Sequence, residues 1–457
     1  MALPKSVHQS IQHFQVDFSP SKEHLRHDPG EEKDRGAGGG CVGRGGGGGG
    51  TEEEGDTEGE INSHKLVVLP PLPINFEWPA MSHLRTLKLM HCGDLVSLNL
   101  VQPLPFLEHL DVSFCENLSQ LNLRGCSQIR SLTALSCLKL QPVMLVPTCA
   151  ASLQSLSIRG CTQRQILGFL LGIHRSPIRL TAFSGGWLSE FGALDVWLRN
   201  LLTSLPVELA DCFARLTSLE VPGLFSVQDD FLNRLIDTNH RSLQVLNVCC
   251  CDLVSDVSLI NLAKCRSLTR LNLRALRQVS DTVLLLVAQN CPRLRSLNVS
   301  CCPRLTDTSL LTLASGCPEL EELDLCYSGF TVAAVFQVIR GALGPQMHML
   351  GLGGCNLTDP ELIEIMGRCP HLVYLGIGGC PLLTSASFVT MCRLLPQLTK
   401  LNAHRLCGLD LQVMRQLISS CSQLKQIDLE NSHWLHQERD QEQIERFLAQ
   451  YPFKYDD

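Results

Sequence analysis

Residues 294–317 read LRSLNVSCCPRLTDTSLLTLASGC, and residues 268–291 read LTRLNLRALRQVSDTVLLLVAQNC. Leu294, Leu297 and Val299 in the first, and Leu268, Leu271 and Leu273 in the second, alternate with polar residues. That two-residue period is the pattern of a strand with one face turned inward. The triplets Leu305-Thr306-Asp307 and Val279-Ser280-Asp281 follow. Their side-chain oxygens can accept hydrogen bonds from the free amides that open a helix. Leu310, Leu313 and Ala314 then recur at helical spacing, and the two stretches close at Cys317 and Cys291.

The first apolar residue of this frame recurs at Leu216, Leu243, Leu268, Leu294, Leu320, Met347, Leu372, Leu398 and Leu424. Successive differences are 27, 25, 26, 26, 27, 25, 26 and 26, a regularity that composition alone does not produce. Other units carry the same parts, such as Val254-Ser255-Asp256 or Leu357-Thr358-Asp359 and the helical face Leu259, Leu262 and Ala263. A repeat of roughly 20 to 29 residues with this leucine pattern is the sequence form of a leucine-rich-repeat solenoid. One unit cannot bury its own apolar face, so stacking supplies the core. The expected fold is an α/β leucine-rich-repeat solenoid, curved, with parallel strands on the concave face and helices on the convex face.

Toward the N-terminus the spacing halves. Frames begin at Leu84, Leu95, Leu107, Leu118 and Ile129, 11 or 12 residues apart, and Leu153 follows after 24. So short a frame cannot hold a strand, a helix and two turns. Pairs of frames are expected to make one coil with extended segments on both faces and little helix between Leu84 and Ser136. From Leu153 to Leu216 lie 63 residues, room for two unequal coils with a degenerate strand near Arg179 to Phe183 and an insertion around Gly185 to Leu205. The expected organisation is a head at 1–65, short coils at 66–152, irregular coils at 153–215, regular cysteine-containing repeats at 216–437, and a capping helix (Arg439 to Gln450) with tail at 438–457.

Leucine marks the head's boundary: of 82 Leu, 2 fall in the first 65 positions. Gly30 to Glu60 holds 14 of the 35 Gly, and Glu52, Glu53, Glu54, Asp56, Glu58 and Glu60 crowd its end. Such a segment buries too little apolar surface to offset its chain entropy, so the head is expected to be disordered. Gly43, Gly45 and Gly48 have the spacing of a dinucleotide-binding fingerprint, but the strand before and the helix after are missing.

A net charge of −7 gives no global basic field for nucleic acid or an anionic membrane. No apolar run is long enough for a membrane span, and Met1 to Phe18 lacks the core of a signal peptide. The 23 Cys, an odd number, argue for a reducing compartment, cytoplasm or nucleus, without a disulfide framework. Cys92, Cys115, Cys126, Cys161, Cys251, Cys302, Cys355 and Cys380 take the ninth frame position, and Cys265, Cys291, Cys317, Cys369 and Cys421 lie three residues before the next frame. Fixed positions without any Cys-x-x-Cys pair point to buried thiols rather than a metal site, and no cofactor is expected. In the run Cys249, Cys250 and Cys251 an alternating strand would aim the thiols apart.

The order Leu-Asn-Leu, Cys, Leu-Thr-Asp, Leu-Ala, Cys-Pro in the two quoted stretches resembles the cysteine-containing class of leucine-rich repeats. The resemblance extends over roughly residues 84 to 432, with Leu276, Ser328 and Leu406 in place of the first cysteine and Gly344 and Leu395 in place of the second. This class is typical of F-box and leucine-rich-repeat proteins, and it occurs without an F-box in the antagonist-of-mitotic-exit-network proteins. In the former the resemblance implies a solenoid that holds a substrate and an F-box that docks a Skp-type adaptor in a cullin ubiquitin ligase. An F-box needs roughly 40 to 50 residues of amphipathic helix ahead of the repeats, and positions 1–80 offer none. Its opening motif finds one match, Leu205-Pro206-Val207-Glu208-Leu209, which the next frame at Leu216 absorbs into an ordinary repeat.

A partner is expected on the outward strand positions. Gly351, Gly353, Gly376 and Gly378 form a block there, and Gly within strands often marks close approach by another chain. Met349, Tyr374, Lys400 and His404 would rim the recess, and Arg270 and Arg274 beside Glu322 and Asp324 offer a second, charged contact. No phosphate-cradling loop, metal-binding His-Glu pair or nucleophile elbow occurs in the repeats, and His433 and His436 read as surface residues. The expectation is a binding protein and not an enzyme, its broad surface suited to protein partners.

Overall fold

The computed structural model of the chain describes residues 13–17, 75–141, 152–162, 165–166, 169, 180–185, 207–213, 215–224, 227–406 and 411–429. Among them, 15 strands form one continuous parallel sheet and 3 form a second. The short frames supply both. Strands β1 (His13–Asp17), β3 (Thr86–Met90), β5 (His109–Asp111) and β7 (Ser131–Thr133) open the long sheet, while β2 (Asn75–Glu77), β4 (Ser97–Asn99) and β6 (Gln120–Asn122) pair on the other side. Each successive frame thus changes face, and two make a coil.

The long sheet continues through β8 (Ser155–Ser157), β9 (Ala182–Ser184), β10 (Ser218–Glu220), β11 (Val245–Asn247), β12 (Arg270–Asn272), β13 (Ser296–Asn298) and β14 (Glu322–Asp324). It ends with β15 (Met349–Gly351), β16 (Tyr374–Gly376), β17 (Lys400–Asn402) and β18 (Gln426–Asp428). Helices such as Asp281–Asn290, Asp307–Gly316 and Asp359–Arg368 return the chain between these later strands. A helix about 10 Å across cannot stack at the strand spacing of about 4.8 Å, so the strands take the inside of the bend. The fold is a leucine-rich-repeat solenoid.

Its core is a column of equivalent side chains. In the coil at Leu294, the residues Leu294, Leu297, Val299, Cys302 and Leu305 are all buried, with Leu310 and Leu313 closing on them from the helix. The ninth-position thiols donate to the coil before: Cys302 Sγ to the Leu273 carbonyl at 3.2 Å, Cys251 to Val221 at 3.2 Å and Cys137 to Val112 at 3.1 Å. The second cysteine set does likewise, Cys317 Sγ lying 3.5 Å from the Cys291 carbonyl. Each thiol fills a small space and answers one carbonyl. Cys421 departs from the buried thiols expected at the second cysteine position, for it is disulfide-bonded.

Two periodic features escaped sequence reading. The eighth frame position is left-handed in coil after coil: His91, Phe114, Ser136, Cys250, Ala275, Cys301, Tyr327 and Arg405 have φ between 53° and 60°, and Gly160, Gly223, Gly354 and Gly379 join them. This residue turns the chain out of the strand, at a cost that non-Gly side chains bear. The other is a ladder of aspartates. Asp281 Oδ1 accepts from the Thr306 amide at 2.8 Å and Asp281 Oδ2 from the Thr306 hydroxyl at 2.5 Å, so the first residue of one helix holds the cap of the next. Asp229 with Ser255, Asp256 with Ser280, Asp307 with Thr331 and Asp359 with Thr384 repeat the arrangement. Val332 breaks the series, and Thr358 turns instead to Glu361 in its own helix, amide to Oε2 at 2.8 Å.

Within the head, His13–Asp17 is an extended segment that pairs in parallel with Thr86–Met90 residue for residue. The open edge of β3 offers unpaired amides and carbonyls, and a five-residue extended segment satisfies them. The rest of the head, the insertion beyond Gly185, the expected helix at Arg439 to Gln450, and His433 and His436 lie outside the described residues.

Candidate functional site

The outward row of the long sheet is where a partner would meet the chain, and its residues follow from strand alternation. Leu246 is buried while Val245 and Asn247 are half-buried, and β13 and β14 repeat the pattern, whereas Gly351 and Gly376 in β15 and β16 are buried. Asp324 and Asn298 are tied sideways, Asn298 Nδ2 to Asp324 Oδ2 at 3.0 Å. Such a ladder of Asn and Asp links neighbouring strands on the outer face.

The glycine block sits where strand alternation placed it, in register across β15 and β16 with Met349 opposite Tyr374 and Gly351 opposite Gly376. The space it leaves, however, is filled by the chain's own side chains. A Cβ at Gly378 would lie 2.2 Å from His404 Nδ1, one at Gly351 2.3 Å from Asp324 Oδ1, and one at Gly376 3.2 Å from the Tyr374 hydroxyl. At Gly353 it would come within 2.9 Å of the Gly378 carbonyl. The glycines therefore admit Asp324, Tyr374 and His404 rather than an empty recess. Of the expected rim, Lys400 is exposed, and Met349, Tyr374 and His404 are half-buried.

Tyr327, absent from the expected set, completes this patch. It occupies the left-handed eighth position and crosses Gly354 and Gly379, whose Cβ atoms would stand 2.5 Å and 2.3 Å from its ring and hydroxyl. Its hydroxyl meets His404 Nε2 at 2.8 Å, and His404 Nδ1 faces the Asn402 Oδ1 acceptor at 2.5 Å. In the neutral ring Nδ1 thus carries the proton, and the tyrosine donates to Nε2. The signal lay in Gly354 and Gly379, which are small because Tyr327 lies over them.

Arg270 and Arg274 project from β12 and the residues after it, both exposed. Neither forms an ion pair among the described residues, and Asp324 is occupied by Asn298 and the Cys326 amide. Arg274 has a different neighbour. The Cys249 thiol hydrogen-bonds Cys250, which together with the Arg274 charge brings the Cys250 thiol down to about 7 against the opposing cost of burial. Cys249 is pushed up in turn, first by that hydrogen bond and then by burial. Two of the three consecutive thiols therefore converge, because the left-handed turn at Cys250 breaks the alternation that would have separated them. Cys251 alone points inward and is fully buried.

Of the match to an F-box opening, Leu205 and Pro206 lie outside the described residues, and Val207 to Leu209 begin a 3-10 helix, Val207–Cys212. Ala210 and Phe213 are buried there, and Asp211 pairs with Arg234 of the next helix at 2.9 Å. This segment is part of the coil that leads to Leu216. Among the described residues no three His, Cys, Asp or Glu side chains are placed to share a metal ion, and no helix is long and apolar enough to cross a membrane.

Comparison with a family model agrees with a leucine-rich repeat. A family model described as leucine rich repeat matches residues 290–314, the stretch that carries β13 and its helix. No curated protein sequence matches the chain. Among solved structures it is similar to the crystal structure of the Rad7 and Elc1 complex in yeast, at a TM-score of 0.43 and 15% identity, over 73% of this chain and 76% of that one.

Proposed function

We propose that this chain is a protein-interaction solenoid that works by holding a partner on the inner face of its long sheet, without a catalytic step of its own. The observation that carries this reading is the single sheet of 15 parallel strands. A surface of that kind is broad and shallow, which suits a protein segment better than a small molecule. We further propose that it serves as the substrate-recognition component of an SCF-type (Skp, cullin, F-box) ubiquitin ligase in the cytoplasm or nucleus, directing its partner to proteasomal degradation. The support is the resemblance of its cysteine-containing repeats to that class, an argument from kinship of repeats and not from a docking site.

A second reading, a scaffold with no ligase attached, is favoured by the place of Val207–Cys212 inside the solenoid. Affinity purification of the full-length chain separates the two. If a Skp-type adaptor and a cullin co-purify and are lost with Pro206→Ala and Leu209→Ala, the receptor reading stands. Purification without either leaves the scaffold.

A further inference from the structure

At the N-terminal ends of β12, β13 and β14 three coils meet around a hollow of about 620 Å³ lined by Arg270, Arg293, Arg295, Glu319, Glu321 and Glu322. Arg295 and Glu319 neutralise each other, Nε and Nη2 both standing 3.1 Å from Oε2. The remaining charges do not. Arg270 and Arg293, from the first two coils, and Glu321 and Glu322, from the third, have no ion-pair partner among the described residues. The strand register explains why. Arg270 is opposite Ser296, and Ser296 opposite Glu322, so two strand steps, about 9.6 Å, and one small side chain separate Arg270 from Glu322.

A hollow with uncompensated cations on one side and anions on the other selects a ligand of matching polarity. A nucleic-acid backbone would satisfy Arg270 and Arg293 but run into Glu321 and Glu322, and the chain's net charge of −7 adds to that repulsion. A protein segment can carry both signs. In an extended chain with the polyproline II twist, residues three apart share one face and stand about 9.3 Å apart, close to the two strand steps between Arg270 and Glu322.

We propose that this hollow binds an extended segment of a partner protein that crosses β12 to β14 and carries residues of opposite charge three positions apart. The acidic residue meets the guanidinium groups of Arg270 and Arg293, whose forks fit a carboxylate, and the basic residue meets Glu321 and Glu322. The inference rests on the interaction reading of this face and gives that reading a chemical specificity.

Selection from a phage-displayed random dodecapeptide library on the immobilised full-length chain tests it. The natural protein should enrich opposite charges three apart. Arg270→Glu with Arg293→Glu should enrich two basic residues at that spacing instead, and Glu321→Arg with Glu322→Arg two acidic ones. A synthetic peptide from the first selection should bind either variant at least about tenfold more weakly, since like charges then face each other. Thermal melts verify that both variants fold, which these exposed or half-buried positions allow. Peptides enriched alike by all three proteins, or without the charge spacing, overturn the proposal and leave the interaction reading intact. A natural protein that enriches no peptide overturns both.

Discussion

The Tyr327 hydroxyl reaches across two coils to His404 Nε2, 2.8 Å away, over the backbones of Gly354 and Gly379. A single side-chain contact therefore links the coils that begin at Leu320 and Leu398, which share no strand pairing. Removing the hydroxyl in Tyr327→Phe should lower unfolding free energy by about 1 kcal/mol, the net worth of an ordinary hydrogen bond. Urea denaturation measures it. A variant as stable as the natural chain would show that solvent replaces the bond without loss.

The glycine at 378 has a testable dependence on that histidine. With the new Cβ 2.2 Å from Nδ1, Gly378→Ala must displace the His404 ring, at a cost of about 1 to 3 kcal/mol for an overpacked site. In a His404→Ala background the same change should cost much less. Equal costs in the two backgrounds, in a double-mutant cycle, would mean the backbone and not the ring sets the need for glycine.

The aspartate ladder ties helix to helix. Asp281→Ala leaves the Thr306 amide and hydroxyl without their acceptor and should destabilise by about 1 to 2 kcal/mol. Val332→Ala, where the ladder is already interrupted, removes no such bond and serves as the comparison in thermal melts.

The same ladder sets an acid sensitivity. Burial raises the carboxyls of Asp229, Asp281 and Asp359, but hydrogen bonds from Ser and Thr outweigh it and hold all three below the usual range. A carboxyl depressed in the folded state contributes stability that is complete above its unfolded value, about 3.9, and is lost as pH falls through the folded value. Melting temperature should therefore drop steeply below about pH 4, and more gently in the triple Asp→Asn variant.

Cys250, with its thiol near 7, should be the described cysteine that iodoacetamide alkylates fastest at neutral pH. Cys249→Ser and Arg274→Ala should each move the midpoint of its rate-pH profile upward. Peptide mapping that finds buried Cys251 or Cys302 labelled first would refute this.

Much of this architecture could be read from leucine alone. The frame at Leu294 placed β13, and the 11-residue spacing from Leu84 placed strands on two faces, because burial of Leu every second residue leaves only one register. The site was less legible. Gly376 and Gly378 were visible as small residues, yet a sequence does not say whether the space beside glycine holds a partner or Tyr374 and His404. The left-handed eighth position is hidden for a similar reason: His91, Phe114, Cys250 and Ala275 share a backbone angle and no side-chain chemistry. The Asp281 contact with Thr306 was masked by a local explanation, since Ser and Thr before a helix already read as caps for it. His13–Asp17 was missed because five alternating residues beside a low-complexity run carry little signal, and its mate Thr86–Met90 lies far along the chain.

The change of face between β2 and β7 has a mechanical corollary. Where both sides of a coil are strands, successive coils advance by the same step on either side, about 4.8 Å, and nothing forces a bend. Once helical residues take over one side, from Gln165 onward among the described residues, the two sides advance unequally and the stack must turn. By this geometry the strand-backed coils make a straight shank and the helix-backed coils a curved bowl. A ligand stiff enough to lie along the shank would lift away from the bowl, and one that follows the bowl would have to leave the shank near β8 and β9.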